Sequence, residues 1–416
     1  MGRGRLSGPS KSSIRSSSIS SSIGHPTALS SLDRKFAGQP YCQDRAASDC
    51  VAMDIPNSAS HSPIAEPCAW QRLSIGESTA WTCELDGAQL DYIATALDGF
   101  AQSNQPWETA DRTTLPLTGL GNLFARIRDE LEEGSGLFRL RGLPVENYSL
   151  DQLKAFYLSF GDHVGQPVSQ SVIGQRLMHI EDKGEKSKDY GVLDKEGSDE
   201  GFRSSRSRAL STGGLRFHTD RCDVVSLLCV RQARQGGHSK IASAVAIHNA
   251  MLERRPDLLS ELFSAYPRSR FGGEVSDVSD YYMLPVFNLL DSKFTTHYSR
   301  TYIEASQENA DVPQLRNTQN EALDLRAELA NELCFEMTLQ PGDIQLLNNH
   351  VIYHARDPYV DDASTGNKQL LLWLWLSMPN SRPLPDSYGV LFGPTEAGAL
   401  RGGIWPPGKA YQLPLD

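Results

Sequence analysis

Leu215-Arg216-Phe217-His218-Thr219-Asp220-Arg221 is the stretch from which the rest of the chain can be read. It sets His218 and Asp220 one residue apart. On an extended strand such residues share a face, so an imidazole and a carboxylate can reach one ion. A third donor stands much later, at His354 in Asn348-Asn349-His350-Val351-Ile352-Tyr353-His354-Ala355-Arg356. Two histidines and one carboxylate hold Fe(II) on one side and leave its other positions open. A lone His-x-Asp is more often a surface tripeptide without metal, and Asp220 by itself reads equally as a turn cap. Phe217 before it and the apolar run Val224 to Val230 after it place Asp220 indoors, where a metal offsets the cost of a buried charge. His350 and His354 lie four apart on a predicted strand. They share a face but stand roughly 13 Å apart, so only one of them reaches the ion.

Composition narrows the class. The 416 residues are 39% hydrophobic and 22% charged, with net charge −11, which speaks against nucleic acid as a partner. No apolar run approaches a membrane span, and the densest, Leu370 to Leu376, reads as a buried strand. Seven cysteines at irregular spacing form no C-x-x-C pair, which points to a reducing, cytoplasmic setting. Residues 1–35 are rich in serine and carry Arg3, Arg5, Lys11 and Arg15 with no acid before Asp33. They read as a disordered tail, or alternatively as a mitochondrial transit peptide. Residues 1–69 are therefore set apart as a disordered or targeting segment, and 70–416 as one domain.

Within that domain the periodicity predicts helices carrying Leu90, Ile93, Leu97 and Phe100, and then Leu123, Ile127 and Leu131. A strand follows at 136–140. A capping box at Ser149 and Gln152 opens a helix that Gly161 is expected to close. Residues 183–214 are polar and glycine-rich, a long loop that is either disordered or, the reading preferred here, a lid over the site. Pro256 opens a short helix, and Thr318 with Glu321 is expected to cap another. Short strands at 336–339, 344–347, 351–353 and 370–376 make the fold class α+β.

Two longer stretches, Cys229 to Ser239 and Pro341 to Arg356, extend the pattern, together with Arg141-Gly142-Leu143-Pro144, Gly165-Gln166-Pro167, Tyr298-Ser299-Arg300 and the run Pro379 to Pro385. From about Trp70 onward the chain resembles the taurine-dioxygenase-like family of Fe(II)/2-oxoglutarate oxygenases, in particular a fungal branch. The resemblance implies a double-stranded β-helix, or jelly-roll, core with helical insertions and an N-terminal helical part. It implies iron held by His218, Asp220 and His354, with 2-oxoglutarate and dioxygen as cosubstrates and a small molecule as substrate. His354 is preferred to His350 because the family places its ligand directly before Ala-Arg or a similar pair. His238 and His248 are read as structural.

In the resemblance Ser239 of Gly236-Gly237-His238-Ser239 touches the far carboxylate of 2-oxoglutarate. The same element would also make a plain hairpin turn. The family's two arginines after the distal histidine have no counterpart: Gln369 and Trp373 stand in their places, with Lys368 one position earlier. Gln369 offers one neutral hydrogen bond where arginine offers a charged fork. Arg216, Arg300, Arg356 and Arg382 are the candidates to compensate. Three readings remain open on these residues: an Fe(II)/2-oxoglutarate-dependent dioxygenase that hydroxylates or desaturates a small molecule, an iron-dependent oxidase that does not use 2-oxoglutarate, and a catalytically degenerate relative. Oligomeric state is not legible.

Overall fold

The computed structural model describes residues 62–184, 208–270, 280–362 and 368–405. The expectations for the N-terminal tail and for most of the proposed lid lie outside the described residues. In chain order the strands are β1 (Thr82–Glu84), β2 (Leu137–Arg141), β3 (Gln166–Pro167), β4 (Leu177–Ile180), β5 (Leu215–His218), β6 (Val224–Arg231), β7 (Gln235–Gly236), β8 (Ser239–Ser243), β9 (Ala265–Ser269), β10 (Tyr281–Pro285), β11 (Phe287–Leu290), β12 (Lys293–Thr296), β13 (Phe335–Met337), β14 (Ile344–Asn348), β15 (Ile352–Arg356), β16 (Tyr359–Val360) and β17 (Leu370–Ser377). The larger sheet runs β1-β2-β14-β6-β17-β3, with β4 also on β17. The smaller runs β13-β8-β15-β5. With the helices this is a mixed α+β fold.

Strand periodicity divides the core. On β17, Leu371, Trp373 and Trp375 join one apolar cluster with Phe217 and Ile241. The alternate residues Leu370, Leu372, Leu374 and Leu376 join a second, against α2 (Gly87–Gln102), α3 (Gly121–Glu132) and α4 (Leu150–Val164), the α-helices that follow the short α1 (Arg72–Glu77). A strand buried on both faces reads as a continuous apolar run, which is why 370–376 has no polar alternation. The helical stripes behave as their spacing predicts: Ile93, Leu97, Phe100, Leu123, Ile127 and Leu131 are all buried.

Four local expectations need correction. The helix opened by Ser149 runs on to Val164, and Gly165 is its C-cap. Gly161 serves contact instead, since a Cβ there would come 2.7 Å from Leu374 Cδ1. The later helix Asn317–Leu333 begins one residue before Thr318, with Arg316 at its N-cap and the Gln319 side chain accepting from the Arg316 N–H at 3.1 Å. Thr318 donates instead to Glu261 Oε1 at 2.6 Å. His350 lies in the turn between β14 and β15, so it never shares a strand with His354. Finally, β5 stops at His218, and Asp220 is placed just beyond the strand.

Candidate metal centre

β5 and β15 pair antiparallel with His218 directly opposite His354. Directly opposed residues point to the same side, so both imidazoles face inward, with ring centres 4.2 Å apart. The chain then turns at Thr219, whose N–H donates to the Tyr298 carbonyl at 2.8 Å, and this turn delivers Asp220 to the two rings. Asp220 Oδ1 lies 3.7 Å from His218 Nε2, and Oδ2 lies 3.6 Å from His354 Nε2. These separations are too long for hydrogen bonds, yet one donor atom from each residue falls within 4.8 Å of the others. Octahedral donors about 2.1 Å from an ion stand roughly 3 Å apart, so the set needs only a small contraction to share one.

The protonation states suit that use. Burial pushes His218 down to about 4 and His354 well below its ordinary value, so both rings are neutral near pH 7. His218 Nδ1 lies 2.9 Å from the Arg216 carbonyl and donates to it, which leaves Nε2 as the lone-pair nitrogen. His354 Nδ1 is buried without a partner among the described residues. Asp220 is held from two sides: its N–H donates to Asn349 Oδ1 at 3.1 Å, and Trp375 Nε1 donates to its Oδ2 at 3.1 Å. Asn349 is anchored in turn on the Cys222 carbonyl. Neither Trp375 nor Asn349 was marked by the sequence as more than strand and turn.

His350 is elsewhere. Its Nε2 bonds Asp223 Oδ1 at 2.8 Å, and Arg401 Nε meets the same oxygen at 2.7 Å. It is a core histidine, as is His248 among Phe263, Phe287 and Phe294. His238 is half-exposed beside Asp357.

The residues expected around 2-oxoglutarate separate. Ser239 pairs with Arg356 across β8 and β15, two positions along from His354, and its hydroxyl accepts from Gln345 Nε2 at 3.0 Å. Gln369 is buried, and its Nε2 has no partner among the described residues. Lys368, by contrast, is exposed, so the structure brings Gln369 inward and leaves Lys368 outside. Trp373 is buried edge-on to Trp375 at 5.6 Å.

Of the compensating arginines, Arg216 bonds Glu304, Arg300 bonds Glu304 and Asp324, and Arg382 bonds Glu132. Arg356 stands two positions beyond His354 on β15, in unbroken register with β8. Its terminal nitrogens donate to the carbonyls of Ala209, Ser211 and Gly213, while its buried Nε has no partner among the described residues. Burial works against its charge, and Tyr359 and Asp361 nearby work for it.

The family model for the taurine catabolism dioxygenase TauD, TfdA family matches residues 101–375. The chain belongs to this family. It is a non-heme iron, 2-oxoglutarate-dependent oxygenase of small molecules. Among curated proteins it is 29% identical to FR-33289 synthase of Streptomyces rubellomurinus over 330 residues, covering 78% of this chain and 93% of that one. It is 28% identical to the taurine hydroxylase-like protein SAT17 of Stachybotrys chartarum, over 68% of this chain and 71% of that one. Among solved structures, asparagine oxygenase with Fe(II), 3-hydroxyasparagine and succinate superposes with a TM-score of 0.53 at 16% identity, over 71% of this chain and 94% of that one. The oxygenase OrfP with Fe and alpha-ketoglutaric acid gives 0.51 at 12% identity, over 71% and 93%. These two likenesses establish the shared fold. Among the described residues no helix is long and apolar enough to cross a membrane.

Proposed function

We propose that residues 70–416 act as one oxygenase domain whose two facing sheets form a double-stranded β-helix, with iron held by His218, Asp220 and His354. The observation that carries this reading is the convergence of three buried donors, two on paired strands and one on the turn that follows, within 4.8 Å. Held there, iron would supply dioxygen activation at the expense of 2-oxoglutarate, and with it oxidation of a substrate C–H bond.

The chain's own residues set the geometry of that event. Trp375 fixes the carboxylate and Asn349 the backbone of Asp220 before the metal arrives, so little is lost to ordering when it binds. Ser239 and Gln369 receive the far carboxylate of 2-oxoglutarate, and Arg356 supplies the positive charge that the family draws from its absent arginines. The strand geometry supports this: two residues of β15 separate the iron histidine from Arg356, roughly 7 Å, a length that a five-carbon dicarboxylate bridges. The buried apolar rings of Trp373 and Trp375 keep water from that space. The five described cysteines are all free, which accords with a cytoplasmic setting.

The test is an anaerobic titration of Fe(II)-loaded protein with 2-oxoglutarate, followed by the metal-to-ligand charge-transfer absorbance and by calorimetry. Saturable binding with one iron per chain is expected. Iron binding without any response to 2-oxoglutarate would overturn the cosubstrate assignment.

A further inference from the structure

Behind the strands that carry the iron histidines lies a second cleft, of about 500 Å³. Phe217 and Ala355 line its floor. They are the chain neighbours of His218 and His354, so their side chains point to the opposite face of the smaller sheet. The roof is the helix Asn317–Leu333, which contributes Arg326 and Ala327. The volume falls within the range of about 300–1,000 Å³ usual for small-molecule sites.

Arg326 is what sets this cleft apart. It is 1% exposed, and its guanidinium carbon lies 3.7 Å from the ring centre of Tyr298 and 3.6 Å from that of Tyr353. Two aromatic faces stabilise a cation in part, but neither carries a full negative charge. Nε and Nη2 have no hydrogen-bond partner among the described residues. Every acid lining the cleft is already engaged: Glu304 by Arg216 and Arg300, Asp324 by Arg300, and Asp357 by Lys240. A buried cation without a counter-charge is costly, and an anion entering the cleft removes that cost.

We propose that this cleft binds a small organic carboxylate, with its head at Arg326 and a short apolar body against Phe217 and Ala355. The charged head is required by Arg326, and the apolar body by the floor. The iron ligands themselves face the other way, and Arg356, assigned above to 2-oxoglutarate, borders both sites.

The test uses 4-fluorobenzoate, observed by fluorine NMR on protein loaded anaerobically with Fe(II) and saturated with 2-oxoglutarate, so that the iron's own site is filled. Saturable line broadening is expected with the acid and not with the neutral 4-fluorobenzyl alcohol. Ala327→Phe, which fills the cleft from a half-exposed helix position and leaves Arg326 in place, should weaken binding at least ten-fold. Arg326→Met should do the same, and Arg326→Lys should retain part of the affinity. If Arg326→Met does not fold, judged by circular dichroism, Ala327→Phe decides. Absence of saturation, equal binding of the alcohol, or unchanged binding in Ala327→Phe each overturns the proposal.

Discussion

Trp375 Nε1 donates to Asp220 Oδ2 across 3.1 Å, tying the candidate iron-binding carboxylate to a strand of the opposite sheet. One oxygen is thereby oriented by the larger sheet while the histidines come from the smaller. Trp375→Phe keeps the ring volume and removes the donor. Iron affinity should fall by about 10- to 100-fold, the usual cost of losing a partner of a metal ligand. An Fe(II) titration reads this directly, and unchanged affinity in a folded variant would remove Trp375 from the site.

His218→Ala, Asp220→Ala and His354→Ala should each abolish iron binding with the fold retained, while His350→Ala should keep its iron. The cost of His350→Ala appears in stability. Asp223 loses one of its buried partners and keeps Arg401, so a loss of about 2–4 kcal/mol is expected in urea unfolding. If His350→Ala loses the metal and His354→Ala keeps it, the ligand assignment is reversed.

A pH dependence follows from the same histidine. Burial pushes His350 down to about 4 from its ordinary 6.5. The unfolded chain therefore takes up a proton first as pH falls, and stability is lost between about 6.5 and 4, while it is fully present above 6.5. In the iron-free protein the urea midpoint should drop from pH 7 to pH 5, and the drop should be shallower in His350→Ala. An equally steep drop in that variant would assign the effect to other groups.

Gln369→Arg should tighten 2-oxoglutarate ten-fold or more, about 1.4 kcal/mol, by placing a charged fork on the buried face where Nε2 now has no partner. Arg356→Gln should weaken it by about 30-fold or more with iron binding intact, and Gln369→Arg in that background should restore it. Comparing 2-oxoglutarate with 2-oxopentanoate, which lacks the far carboxylate, isolates the charge. If Arg356→Gln leaves the preference between the two acids unchanged, Arg356 only anchors the segment whose carbonyls it holds.

Much of this protein was legible before its fold. The His218-x-Asp220 spacing, the stripes of α2 and α3 and the apolar run 370–376 are local patterns, and local patterns survive in a linear chain. Element ends were less legible. Gly161 and Thr318 carry the right residue types for a stop and a cap, but packing against Leu374 and bonding to Glu261 use them otherwise.

What the sequence by itself determined was the family; it also named His218, Asp220 and His354 as candidate donors and put Gln369 and Trp373 where the family's arginines are expected. Only the tertiary structure decided that Gln369 points inward and Lys368 outward, that Trp375 reaches Asp220, and that Arg326 is buried behind His218 and His354 with no carboxylate partner among the described residues. Each depends on which face of a strand or helix meets another segment over a hundred residues away, or on how a strand enters its sheet. Spacing along the chain reports which residues share a face, but not what that face meets.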